Sequence, residues 1–116
     1  MIAVGNVVLA SFPYEDNPDK SKIRPAVVME IYQSQMIVMA LRITTASPRD
    51  AFDYELTQWA LAGLHRQSTV RTTKRASIPM AAIIKVIGTL SQNDFDAVVQ
   101  LSSHNVAKRI ATRTLD

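Results

Sequence analysis

The chain has 116 residues, a formal net charge of +3 and no cysteine. That length supports one domain with its own core, and the missing thiols exclude disulfide frameworks, redox pairs and thiolate metal sites. The opening Met1-Ile2-Ala3-Val4-Gly5-Asn6 has no basic run ahead of an apolar stretch, and no segment reaches the roughly 18 apolar residues of a membrane span. A single cytoplasmic domain over residues 1–116, neither secreted nor inserted in a membrane, is expected.

In chain order, Asn6 to Phe12 is short, β-branched and aromatic and stops at Pro13, which predicts a first strand. Tyr14 to Ile23 is polar and carries Asn17-Pro18-Asp19, a turn signal resting on proline's fixed φ and on local hydrogen bonding by Asn and Asp. It predicts an exposed, mobile loop. Ala26 to Tyr32 and Met36 to Ile43 are nearly continuous apolar runs separated by Gln33-Ser34-Gln35, the pattern of adjacent antiparallel strands buried on both faces at a sheet centre. Thr57 to Leu64 reads either as a short helix around Trp59 or as an irregular loop ending at Gly63. Ser68 to Ala76 is a β-branched, basic strand, Pro79 to Ala82 one helical turn opened by proline, and Ile84 to Leu90 a last strand.

The period then changes. Ser91 is placed to cap a helix, with Asp94 three residues on to accept from the cap's own N–H and to complement the helix dipole. A helix over about 92–112 follows, its stripe formed at about 100° per residue by Phe95, Val98, Val99, Ser102, Val106 and Ile110, with Arg109 at the edge. This stripe packs on the sheet or on a second subunit. With no repeat, low-complexity tract or composition shift, the chain reads as mainly β with a C-terminal helix, α+β in class.

The residues that usually carry catalysis are sparse. His65 and His104 lack zinc-helix spacing or a triad partner and read as surface residues. No serine sits in a nucleophile elbow, and Gly5, Gly63 and Gly88 are too far apart to cradle a phosphate. No metal and no cofactor is therefore expected. What remains is arginine and threonine at strand ends. Arg24 precedes Pro25, whose ring pushes it into an extended conformation at a loop-to-strand corner. There it could clamp a phosphate through two parallel hydrogen bonds, or anchor the loop by pairing with Asp19 or Glu15. Arg42 and Thr44 are two apart and share a face where the apolar run ends, although Thr44 and Thr45 are also simply good strand formers. Thr69, Arg71 and Thr73 share a face opposite Val70 and Thr72, an alternation that lines a groove or guards an edge strand with charge. Arg66, Arg71, Lys74 and Arg75 crowd one stretch, which fits a solvated basic face as well as a nucleic-acid patch.

Several of these pieces occur together in a known family. Gly5-Asn6-Val7-Val8-Leu9, the polar loop and then Arg24-Pro25-Ala26-Val27-Val28 resemble the opening of the MazF/PemK toxins. Ile43-Thr44-Thr45, Gly63-Leu64 through Thr69-Val70-Arg71, and Ile87-Gly88-Thr89-Leu90-Ser91 with Asp94 are similar to its later elements, so the resemblance spans residues 5 to about 101. It implies a small open β-barrel of the Src-homology-three type with a C-terminal helix, a homodimer, and a toxin silenced by a cognate antitoxin protein. It also implies metal-independent, sequence-selective cleavage of single-stranded RNA through the substrate's 2′-hydroxyl. On that resemblance Arg24, Thr44 and Arg71 are the catalytic candidates. Asp19, Lys20, Lys22, Arg42, Thr45, Thr69, Thr73, Lys74 and Arg75 are the candidate RNA contacts. An arginine, with a pKa above about 12, is a poor base, so Arg24 and Arg71 are assigned to phosphate stabilisation or leaving-group protonation and the base is left unnamed.

Three features depart from the family's pattern. Asn6 stands where aspartate is usual, the loop from Glu15 to Ile23 has no glycine, and Thr73 occupies the place of the PemK branch's acidic residue. Two other functions are weighed against the ribonuclease. One is a non-catalytic toxin of the same fold that poisons a protein target, as the related CcdB toxins act on DNA gyrase, with Lys108, Arg109 and Arg113 on the helix as its contacts. The other is a plain RNA-binding module, for which one Trp, three Tyr and three Phe offer few stacking platforms.

Overall fold

The computed structural model describes residues 2–13 and 16–115, with side chains described as far as residue 103. Six strands pair antiparallel throughout: β1 (Asn6–Pro13), β2 (Ser21–Tyr32), β3 (Ile37–Thr44), β4 (Asp53–Glu55), β5 (Thr69–Pro79) and β6 (Ile83–Thr89). Their order is β4-β5-β3-β2-β1-β6, an open sheet whose edges are β4 and β6, and helix α1 (Gln92–Leu115) follows. The two apolar runs of the sequence are the two central strands, as expected. Three-residue β4 is too short to show a periodicity and is found only through its pairing with β5.

Alternation along the strands sorts the core into two layers. Val7, Val27, Leu41, Ile43 and Val70 line one face, where Val98 of α1 and Leu56 and Leu90 cover them. Val8, Ala10, Phe12, Ala26, Val28, Val38, Ala40 and Ile78 line the other. Burying each Val, Leu, Ile or Phe side chain of these layers contributes about 1.5–3 kcal/mol, so the register that keeps both layers apolar is strongly selected. On the predicted helix stripe Val98 is fully buried and Phe95 packs on the core, whereas Val99 is 38% exposed. Val106, Arg109 and Ile110 lie outside the described side chains. Among the described residues no helix is long and apolar enough to cross a membrane.

Four local outcomes differ from expectation or resolve it. The β1–β2 loop is shorter than the polar stretch suggests, since β2 starts at Ser21. Arg24 therefore lies inside a strand opposite Ala10, rather than at a corner. Pro25 is tolerated there because the β2–β3 ladder begins only at Ala26 opposite Arg42, so proline sits where β2 is paired with β1 alone. Met36 takes a left-handed conformation (φ 56°) after the 3-10 turn Gln33–Gln35, which delays β3 by one residue. Residues 57–64 are irregular turns, not a helix. That segment is pressed against β6: a Cβ on Gly63 would lie 2.0 Å from the Ile87 carbonyl oxygen, and one on Gly88 2.3 Å from that of Ala62.

The helix start carries the fourth. Ser91 Oγ accepts from the Asp94 backbone N–H at 3.2 Å, as a cap should. Asp94 does not reach back to the cap. Its buried carboxylate instead accepts from Tyr54 Oη (2.7 Å), Thr57 Oγ1 (2.8 Å), Gln58 N (2.9 Å) and Thr57 N (3.2 Å). Burial alone would raise its pKa, but these donors outweigh it and hold the carboxyl below the usual aspartate range. Helix α1 is thus tied to the segment that continues β4.

Candidate functional site

The face of the sheet away from α1 is apolar over only part of its length. On β3, Val38 and Ala40 belong to that apolar layer and Arg42 and Thr44 continue the same side, because side chains two apart share a face. On β2, Ala26 and Val28 are followed back along the strand by Arg24 and Lys22. Thr44 is opposite Thr69, Arg71 follows Thr69 by two, and Arg71 is opposite Asp53. Cross-strand partners point to one side. Register therefore gathers Arg24, Arg42, Thr44, Thr69, Arg71 and Asp53 at one end of one face.

These groups are held differently. Among the described residues Arg24, which is half-buried, makes no hydrogen bond or ion pair with another side chain. Arg42 stacks over the Phe12 ring with its guanidinium carbon 5.5 Å from the centroid, a cation–π contact that keeps its donors free. Thr44 Oγ1 accepts from Ala46 N at 3.2 Å, which orients the side chain and leaves its own O–H to donate. Arg71 is fixed: its NH1 donates to Asp53 Oδ2 at 2.8 Å, and that oxygen also accepts from Arg49 N at 2.9 Å. Asp53 Oδ1 is buried and has no partner among the described residues. A face presenting two ungripped arginines, an oriented hydroxyl and a third, clamped arginine suits an anionic ligand with several oxygens, as a phosphodiester is. Among the described residues no three His, Asp or Glu side chains gather as a cation site.

The sequence model of the family described as PemK-like, MazF-like toxin of type II toxin-antitoxin system matches residues 3–102. The chain belongs to this toxin family. Solved structures with the same fold include a chain of a MazE–MazF crystal structure from Deinococcus radiodurans, at TM-score 0.74 and 14% identity, covering 91% of this chain and 96% of that one. An endoribonuclease from a mycobacterial species, solved with its cognate antitoxin, aligns at TM-score 0.71 and 11% identity over 92% and 96% of the two chains. Mycobacterium tuberculosis toxin MazF-mt6 aligns at TM-score 0.66 and 20% identity over 85% and 93%. At these identities the likeness shows the fold. The comparison with curated protein sequences finds no match.

Against this family background the predicted site residues separate into groups. Arg24, Arg42, Thr44, Thr69 and Arg71 come together, with Lys22 further along β2 on the same side. Thr69 is only 2% exposed, so it supports the floor. Lys74 and Thr73 are half-buried in the segment where β5 bulges, between Leu41–Arg75 and Ile43–Val70 pairing. Arg75 does not join them. It is opposite Leu41, on the face that α1 covers, and its NH2 lies 3.8 Å from Glu30 Oε1. Thr45 is exposed just beyond β3, and Asp19 and Lys20 are exposed in the β1–β2 turn. The Asn6 departure is local: Oδ1 accepts from Ala3 N (2.7 Å), as an aspartate could, while Nδ2 donates to Thr89 Oγ1 (3.1 Å), as an aspartate could not. Sequence reading missed Asp53. Its only signal is the weak alternation Phe52-Asp53-Tyr54-Glu55, and nothing there points to Arg71 eighteen residues away.

Proposed function

We propose that this member of the toxin family is an endoribonuclease that cleaves single-stranded RNA without a metal. The observation that carries the reading is Arg24, a half-buried guanidinium with no side-chain partner among the described residues, on the same face as Arg42, Thr44 and Arg71. Such a guanidinium keeps its N–H donors available for a ligand.

In the reaction, the RNA 2′-hydroxyl oxygen attacks the adjacent phosphorus, the bond to the 5′-oxygen breaks, and a cyclic phosphate and a 5′-hydroxyl result. Negative charge builds on the non-bridging oxygens, where Arg24 donates two parallel hydrogen bonds and Thr44 Oγ1 a third. Arg71 stabilises the same charge or protonates the leaving oxygen. Lys22, Arg42 and Lys74 hold neighbouring phosphates. No residue is assigned as base for the 2′-hydroxyl proton.

The same reading makes the protein a cytoplasmic homodimer controlled by an antitoxin. Edge strand β6 exposes Ile84 (53%) and Val86 (40%), an apolar border that a two-fold partner would cover. An acidic antitoxin segment would cover the arginine face and order on binding. The deciding experiment incubates purified protein with long single-stranded RNA in excess EDTA. Fragments ending in cyclic phosphate are expected. Intact RNA together with tight binding to a protein such as DNA gyrase would instead establish the non-catalytic toxin.

A further inference from the structure

The pair formed by Asp53 and Arg71 is built from two strands that sequence reading does not connect. Asp53 lies on edge strand β4 with its side chain fully buried, opposite Arg71 on β5, whose side chain is 14% exposed. The carboxylate is itself fixed, because Oδ2 accepts the Arg49 backbone N–H at 2.9 Å, with Arg49 Nε at 3.5 Å. Arg71 meets this fixed oxygen through NH1 alone. A guanidinium has five N–H donors in a rigid plane, so one bond sets the plane and leaves the remaining donors for a ligand. Thr73, the nearer candidate along β5, carries no carboxylate, and among the described residues Asp53 is the acid that pairs with Arg71.

We infer that Asp53 is a positioning residue for RNA cleavage: it holds Arg71 by one nitrogen so that the other edge of the guanidinium faces the scissile phosphate. The inference rests on the ribonuclease reading above. It assigns to Asp53 no contact with RNA and no proton transfer. A pair serving stability alone would be indifferent to which donors stay free, whereas a positioning pair needs both the carboxylate and the unused half of the fork. Lysine at 71 would distinguish these, since its single ammonium can satisfy Asp53 but presents no planar second edge.

The test measures cleavage of a defined single-stranded RNA at saturating and limiting concentrations, and binding of a fully 2′-O-methylated RNA, for wild type, Asp53→Asn, Arg71→Ala, Arg71→Lys and the Asp53→Asn/Arg71→Ala double variant. Thermal melts accompany each. Asp53→Asn is expected to lower kcat by roughly 100-fold with little change in KM, the size of loss that a small misplacement produces. The double variant should cleave like Arg71→Ala alone, because the two residues act as one unit. Arg71→Lys should stay folded yet cleave as poorly as Arg71→Ala, and full cleavage by this variant refutes the positioning role even if Asp53→Asn does not fold. Full cleavage by Arg71→Lys, or multiplicative losses in the double variant, would overturn the positioning role while leaving the ribonuclease reading intact. Wild type that neither cleaves nor binds RNA would overturn both.

Discussion

Replacing Asp94 by alanine removes the acceptor for four donors at once: the hydroxyls of Tyr54 and Thr57 and the backbone N–H groups of Thr57 and Gln58. Hydrogen bonds to a charged group contribute about 1.5–3 kcal/mol each, and a buried donor left unpaired costs about 1–3 kcal/mol. These terms are not additive, and losing a buried charge offsets part of them, so we expect a net loss of roughly 3–5 kcal/mol. At about 4 °C per kcal/mol for a domain of this size, the melting temperature should fall by roughly 12–20 °C. The pH dependence has a definite sign. Because the folded pKa of Asp94 is lowered, its contribution is complete above the ordinary aspartate value of about 3.9 and is lost as pH falls through the lower folded value. Tyr54 behaves oppositely. Burial first, then its bond to Asp94, push the phenol up from 10.0 to about 12, so its contribution is present below pH 10 and lost as pH rises toward 12. Differential scanning calorimetry of Asp94→Ala, Tyr54→Phe and the double variant between pH 3 and 11 checks all of this. A melting temperature within a few degrees of wild type, or fully additive losses, would refute the clamp.

The other expectations concern the arginine face and one tight contact. Arg24→Ala should cut cleavage by about 10²- to 10³-fold while moving stability by no more than about 0.5 kcal/mol; cleavage assays beside melts check it, and a variant that is fully active defeats the assignment. Arg24→Lys should remain well below wild type even where RNA still binds, because the bidentate fork is gone. Thr44→Val, which removes a hydroxyl at nearly constant shape, should lower kcat in the same assay, and unchanged kcat would free Thr44 of its role. RNA affinity should fall with salt with a log–log slope reduced by about 0.7 for each phosphate-binding cation removed; titrations of Arg42→Ala and Lys74→Ala over a salt series read this directly. Gly63→Ala would place its Cβ 2.0 Å from the Ile87 carbonyl oxygen at a φ of +84°, and should destabilise by more than about 2 kcal/mol in urea melts.

How much of this was legible before folding depends on the range of the interaction. Strands β1, β2, β3, β5 and β6 and the Ser91-capped helix were readable because each rests on local periodicity or on a capping residue next to its target. The pairing of Arg42 with Thr44 on one face was readable for the same reason, since two-residue alternation is fixed by the pleat. Arg24 was found, but not its setting: the end of the β2–β3 ladder at Ala26, which lets Pro25 sit inside the strand, is a property of the partner strand. The exclusion of Arg75 from the site was not readable either. Simple alternation runs through Thr69, Arg71, Thr73 and Arg75, and only the bulge in β5 opposite Arg42 turns Arg75 to the other face.

The sequence by itself determined a mainly β chain with a C-terminal helix, its two central strands, the family resemblance, and three candidate residues in Arg24, Thr44 and Arg71. The elements follow from local rules that each residue carries with it, whereas the three candidates are what the resemblance implies. Tertiary structure alone decided that Arg24 has no side-chain partner among the described residues, that Arg71 is clamped by Asp53 and that Asp94 ties α1 to residues 54–58. Those contacts join residues 18 to 40 positions apart. A charged side chain finds such a partner only when strand register and helix docking bring the two together, and neither is written in the spacing of either residue.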